Sequence, residues 1–198
     1  MARLPHSVEV LLETGLLNQW YLVARDREIG NRPVALKRLE RDIVLWRDAS
    51  GTVNCLDDFC PHRGAKLSLG QVSDGNIACA YHGLQFDGAG VCRATPPTPN
   101  SGFVGKRLAT AYPCREAHGA IWVYFGDGRA ADPAPLRFPP EFESGEWSGF
   151  VDIRVFECNW QLVRDNQFDP MHGSFLHVGT HILDAGRKDA ELGFERQE

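Results

Sequence analysis

Cys60-Pro61-His62-Arg63-Gly64 and, with sixteen residues between His62 and Cys79, Cys79-Ala80-Tyr81-His82-Gly83 are the stretches that decide what this chain folds around. The pattern is C-x-H, a spacer, then C-x-x-H. Each stretch offers one thiolate and one imidazole, both good ligands for iron and zinc. A two-iron, two-sulfide cluster with one thiolate-held end and one imidazole-held end uses such mixed pairs naturally. Zinc knuckles pair Cys with Cys and His with His instead. The mixed pairs and their β-rich surroundings therefore favour a [2Fe–2S] centre, with Cys60, His62, Cys79 and His82 as candidate ligands. Gly64 and Gly83 let the backbone approach the cluster sulfurs.

Outward from these stretches the sequence is short-stranded. Candidate strands are Trp20–Ala24, Pro33–Leu39, Asp42–Arg47, Thr52–Leu56, Asn76–Ala80, Leu84–Phe86, Val91–Arg93, Ala111–Arg115 and Ile121–Phe125. Turn residues separate them at Asp48–Gly51, Asp87–Gly90 and Glu116–Gly119. Closely spaced short strands predict an all-β sandwich or barrel up to Phe125. An amphipathic stretch, Val8 to Asn18, predicts a leading helix. Residues 126–140 hold four prolines and two glycines and predict a linker. The expected organisation is 1–125, 126–149 as linker, and 150–198 as the beginning of a second domain. A strand is predicted at Phe150–Phe156. Asn159 is a plausible N-cap for a helix over Trp160–Phe168, which Pro170 should end.

Composition excludes several classes. The 198 residues carry 21 Lys plus Arg against 26 Asp plus Glu, a net charge of −5, with 43% hydrophobic and 24% charged residues. These proportions are ordinary for a globular protein and unlike collagen, coiled coils or disordered chains. No basic stripe exists to neutralise phosphates, so no nucleic-acid partner is expected. No apolar run reaches the roughly 18–20 residues of a membrane span. The N-terminus lacks the apolar region of a secretion signal, so a cytoplasmic location is expected. There Cys55, Cys92, Cys114 and Cys158 would stay reduced and act as small buried hydrophobes. The charged stretch after Asp184 and the small size of the second unit raise the expectation that the natural protein continues.

The second constellation is Asp169-Pro170-Met171-His172, then His177, a D-x-x-H-x₄-H pattern. Histidines five residues apart do not share a helix face. They can meet one metal only if the helix breaks between them, and Pro170 and Gly173 supply a break. Two imidazoles and a carboxylate form the facial triad of non-haem Fe(II) oxygenases. By itself this motif is weak. Its place after the linker gives it weight.

With Trp20-Tyr21-Leu22-Val23-Ala24 preceding Cys60-Pro61-His62-Arg63-Gly64 and Cys79-Ala80-Tyr81-His82-Gly83-Leu84, the chain resembles the terminal oxygenase component of Rieske non-haem iron oxygenases. The resemblance implies a mainly β Rieske [2Fe–2S] domain followed by the start of an α+β catalytic domain. It implies electrons from a reductase or ferredoxin, mononuclear Fe(II) on His172 and His177, and Asp169 as an electron-transfer bridge toward His82 of a neighbouring subunit. It also implies O₂ activation and hydroxylation or O-demethylation of a small organic, aromatic substrate, and a homotrimer at full length. Asp-Pro-Met-His-Gly-Ser-Phe-Leu-His is similar to the phthalate-dioxygenase and O-demethylase branch. The family's third iron ligand lies far downstream. Asp184, Asp189 and Glu191 do not match its position, and His181 is read as a second-sphere or surface residue. Respiratory Rieske proteins carry extra cysteines in both cluster loops, and this chain has none there. Arg63 and Tyr81 flank the cluster. His118 is expected in a solvated turn, Trp122, Tyr124 and Phe125 in a core strand, and Trp160 in helix packing. A Rieske-type ferredoxin acting only in electron transfer and a zinc-stabilised binding module are the competing readings.

Overall fold

The structure is a computed structural model that describes residues 15–127, 133–169 and 172–177. The chain divides into two compact units, Met1–Arg154 and Val155–Glu198. The first holds ten strands: β1 (Gln19–Arg25), β2 (Val34–Arg38), β3 (Arg41–Arg47), β4 (Val53–Asp57), β5 (Gln71–Ser73), β6 (Asn76–Ala78), β7 (Gln85–Phe86), β8 (Cys92–Ala94), β9 (Cys114–Ala117) and β10 (Ala120–Phe125). They form three antiparallel sheets, in the orders β1-β10-β9, β2-β3-β4 and β5-β6-β7-β8. The second unit contributes α1 (Trp160–Phe168) and α2 (Gly173–Leu176).

The middle sheet is covered on both faces, and β3 shows why its sequence reads as an unbroken apolar run. Side chains alternate between faces of a strand. Ile43 and Leu45 enter one core with Val23, Cys55, Ile121, Val123 and Phe125. Val44 and Trp46 enter a second core with Leu56, Leu67, Ile77, Phe86 and Cys92. All four β3 residues are fully buried. The indole N–H of Trp46 donates to the Gly75 carbonyl at 3.0 Å, which pins the β5–β6 turn to the middle sheet. Cys60 and Cys79 belong to the second core, so the candidate metal loops grow directly out of packed apolar residues.

Nine of the ten strands fall on the stretches expected from the sequence, within a few residues. The unexpected one, β5, pairs with β6 in a hairpin closed by Asp74 and Gly75, both at positive φ. Asp-Gly is the strongest short hairpin signal a sequence offers, but β5 spans only three residues and shows no alternation. The predicted strand at Phe150–Phe156 is absent: those residues are irregular, with Phe150 92% and Val155 85% exposed. Alternating apolar residues make a strand only where a neighbouring strand completes the ladder, and none does so among the described residues. Cys158, expected to be buried, is exposed.

The remaining expectations fall as follows. Of the predicted helix at Val8 to Asn18, residues 8–14 lie outside the described residues and 15–18 are irregular. His118 sits exposed in the β9–β10 turn, and Tyr124 and Phe125 are buried in β10. Trp122 is only half-buried and meets Phe138 edge-on at 5.4 Å. The described part of the proline-rich segment is fastened to the first unit: the Trp20 indole donates to Ala134 O at 2.6 Å, and Phe138 also packs on His118.

Tyr112 ties the first core to polar groups at its edge. Its hydroxyl donates to Asp57 Oδ1 at 2.5 Å and accepts from Arg41 Nη1 at 3.4 Å. Burial, reinforced by Asp57, pushes the phenol up to about 12. The folded state thus favours the neutral phenol. Its contribution is complete below the ordinary value of 10.0 and disappears as pH rises toward about 12. One such group accounts for at most about 1.4 kcal/mol of stability per pH unit. Urea midpoints measured between pH 9 and roughly 12 should fall less steeply in Tyr112→Phe than in the parent protein.

Candidate metal centre

The two loops that carry the mixed Cys/His pairs have one backbone geometry. The Cys60 N–H donates to Ala65 O at 2.8 Å, and the Gly64 N–H returns to Cys60 O at 2.8 Å. The Cys79 N–H donates to Leu84 O at 2.8 Å, and the Gly83 N–H returns to Cys79 O at 2.9 Å. Each loop is therefore a tight turn that starts at the cysteine and closes at a glycine four residues on. Both glycines have positive φ, 75° and 72°. A Cβ there would press the Phe59 ring at 3.1 Å in one loop and Pro96 at 3.3 Å in the other. Glycine is required by conformation and by space.

These turns sort the four side chains by type. Cys60 and Cys79 are 2% and 3% exposed and share the second core. His62 is exposed and His82 half-buried, with ring centroids 4.7 Å apart at 62°. The Tyr81 ring stacks on His82 at 4.0 Å. Thiols are paired on the core side and imidazoles are paired toward solvent. The spacing C-x-H against C-x-x-H gives no hint of this sorting. It follows from the shared turn.

Burial pushes the Cys60 thiol up to about 11, and the neighbouring Cys79 thiol adds to the shift. Backbone N–H groups of His62 and Arg63 donate to its sulfur and oppose it. The thiolate is the ligand form, so a positive metal centre must displace this proton. The donor set fits a [2Fe–2S] cluster: two sulfurs at one end, two imidazoles at the other, and backbone N–H groups aimed at sulfur.

A carboxylate the sequence reading passed over braces the first loop. Asp58 is 4% exposed, two residues before Cys60. It accepts from the Ser68 N–H at 2.7 Å and from the Ser68 hydroxyl at 2.6 Å. Ser68 lies in the 3-10 turn Leu67–Leu69, whose Leu67 is in the second core. Asp58 thus clamps the loop to the core from both ends. The available signal was an Asp just ahead of the cysteine and a Ser just behind the loop.

In the second unit, Asn159 caps α1, accepting from the Gln161 N–H at 2.9 Å. The helix ends at Phe168, and Pro170 and Met171 lie outside the described residues. His172 and His177 flank the one-turn helix α2, with ring centroids 5.3 Å apart. The end of α1 before Pro170 is as expected, but the break expected between the two histidines is not found: α2 fills the interval from His172 to His177, because Gly173 is accommodated as its first residue rather than interrupting it. Asp169 holds His172: its carbonyl lies 2.5 Å from Nδ1, and its carboxylate accepts from the His172 N–H at 3.3 Å. Asn166 Nδ2 lies 3.3 Å from His172 Nε2. Asp169, His172 and His177 are thus neighbours, though not a closed three-ligand site. Trp160, expected in packing, is 40% exposed and covered by Arg164. His181, Asp184, Asp189 and Glu191 lie outside the described residues.

Residues 19–113 match the Rieske [2Fe-2S] domain. The chain carries a Rieske domain. It is similar to oxygenase components. It is 35% identical over 163 residues to the vanillate O-demethylase oxygenase subunit of Pseudomonas sp. (strain HR199 / DSM 7063), covering 82% of this chain and 45% of that protein. A crystal structure of dicamba monooxygenase bound to dicamba superposes with a TM-score of 0.71 at 32% identity, covering 81% of this chain and 48% of that one. The reduced complex between oxygenase and ferredoxin in carbazole 1,9a-dioxygenase superposes with a TM-score of 0.72 at 33% identity, covering 83% and 43%. The chain spans about half the length of these relatives or less.

Removing the Asp58 carboxylate from the Rieske domain leaves two half-buried Ser68 donors without their acceptor. Hydrogen bonds to charged groups are worth about 1.5–3 kcal/mol. Asp58→Ala should lower unfolding stability by about that amount and reduce the iron retained after gel filtration. Ser68→Ala should lower it by less, because the Ser68 N–H still reaches Asp58.

Proposed function

We propose that this chain belongs to the terminal oxygenase component of a Rieske oxygenase that hydroxylates or O-demethylates a small aromatic substrate. The observation that carries the reading is the shared turn of the two loops, which pairs buried thiols and outward imidazoles in one Rieske domain. The relatives' activities support the oxygenase class over a ferredoxin-only role. When bound, a [2Fe–2S] cluster on Cys60, Cys79, His62 and His82 supplies one-electron transfer, and Fe(II) on His172 and His177 supplies oxygen activation.

The chain's own residues have distinct tasks in this scheme. The second core around Cys60 and Cys79 excludes water from the thiolate end, which keeps the sulfurs ligating and protects them from oxidation. His62 and His82 stand at the surface, where an electron donor or acceptor can approach closely. Tyr81, stacked on His82, fixes the plane of that ring. Asp169 grips His172 through its backbone and carboxylate, setting the ring's orientation and tautomer. The same carboxylate is the proposed bridge to His82 of a neighbouring subunit, in a homotrimer. A ferredoxin or reductase is the proposed electron donor, as the carbazole dioxygenase complex illustrates for that enzyme.

Metal and acid-labile sulfide analysis tests the ligand assignments. About three irons and two sulfides per chain are expected. His172→Ala and His177→Ala should each lower iron to about two with sulfide unchanged, while Cys60→Ser or Cys79→Ser should abolish both sulfides. About two irons and two sulfides in the parent chain, unchanged by the histidine substitutions, would leave an electron carrier or an iron site that does not close on these residues alone. Zinc without sulfide would overturn the reading.

A further inference from the structure

We propose that Cys55 and Cys114 form an oxidisable thiol pair that closes to a disulfide with hydrogen peroxide, joining β4 to β9. The pair is separate from Cys60 and Cys79, whose side chains sit in the other core. Cys55 is fully buried in the first core, and Cys114 packs against that same core. Tyr112 links them: its N–H donates to Cys55 O at 2.9 Å, and its carbonyl accepts from the Cys114 thiol at 3.5 Å. The neighbouring Cys114 thiol adds to the upward push that burial gives the Cys55 thiol. Cys114 also lines a surface cavity of about 360 Å³ with Gly51, Thr52, Val53, Arg115 and Glu116. That cavity brings solvent to Cys114, whereas Cys55 is fully buried. The other thiols lack these features: Cys92 is buried with its sulfur 3.7 Å from Ala94 O, and Cys158 is exposed in the second unit.

The geometry orders the chemistry. The Cys114 sulfur attacks a peroxide oxygen, the O–O bond breaks, and water leaves with the thiol proton, giving a sulfenic acid. The Cys55 sulfur then attacks the Cys114 sulfur. The S–O bond breaks, the S–S bond forms, and a second water carries away the Cys55 proton. Two thiols lose two electrons in total, and peroxide is reduced to two waters. Cys55 is fully buried and Cys114 only partly so, which places Cys114 for the first attack and Cys55 for the second. The loop so closed contains all four candidate cluster ligands and most of the second core. Cross-linking β4 to β9 would restrain the unfolding of the segment that holds the cluster.

The test is peroxide titration of the full, cluster-loaded chain, followed by denaturation, alkylation and peptide mass mapping. Of six cysteines, two should become unavailable to alkylation, with a peptide linking Cys55 to Cys114 about two mass units lighter than the sum of its parts. The loss should vanish in Cys114→Ser and in Cys114→Ala and persist in Cys92→Ser. The oxidised chain should lose its visible absorbance in urea more slowly than the reduced one. Six alkylatable cysteines after treatment, a sulfinic acid on Cys114 with Cys55 still free, or a link confined to Cys60 and Cys79 would each overturn the proposal.

Discussion

Strand β3 packs on both faces, and the rest of the first unit is arranged around that fact. Ile43 and Leu45 point into one core, and Val44 and Trp46 point into the other. A one-residue slip in register would exchange the two sets and empty both cores of their partners. The pairing of β3 with β2 and β4 is thereby specified from two sides, as is the height at which β4 leaves the sheet to enter the first metal loop. The Trp46 indole carries the same constraint to the third sheet through Gly75. The third sheet in turn delivers Cys79.

The candidate centre inherits its asymmetry from this packing. One end of each loop is rooted in the second core and the other faces water, so the cysteines are buried and His62 is exposed. A neutral thiol pair suits the core in the absence of metal, since burial disfavours the thiolate. A cluster reverses that preference by placing positive charge beside the sulfurs. Backbone N–H groups of His62 and Arg63 already favour the thiolate of Cys60. Asp58 supports this arrangement from behind without being a candidate ligand. The second unit is built differently. None of the α1 side chains is buried, and His172 is held by local hydrogen bonds to Asp169 and Asn166.

Much was legible in particular residues. The four candidate cluster residues were readable because mixed Cys/His pairs are rare chemistry with few uses. The long strands were readable because β3 and β10 carry dense apolar runs. Asn159 was readable as a cap because its side chain accepts from a backbone N–H two residues on, a purely local interaction. Strand β5 was missed because three residues show no period, although Asp74-Gly75 marked its turn. The strand assigned to Phe150–Phe156 failed because alternation records only that a strand could form there. Cys158 was misjudged because burial of a small side chain depends on distant segments.

Local chemistry was determined by the sequence alone: which residues can bind metal, where turns and caps lie, and that the first unit is β-rich. Such properties depend on side-chain identity and on neighbours a few positions away. Tertiary structure decided the rest. It set thiols inward and imidazoles outward, because the two loops meet only when the second and third sheets share a core. It enlisted Asp58 and Ser68, ten residues apart, as a clamp. It also brought Cys55 against Cys114, fifty-nine positions away. Long-range contacts of this kind arise from the joint packing of whole sheets, and no local pattern in the sequence records them.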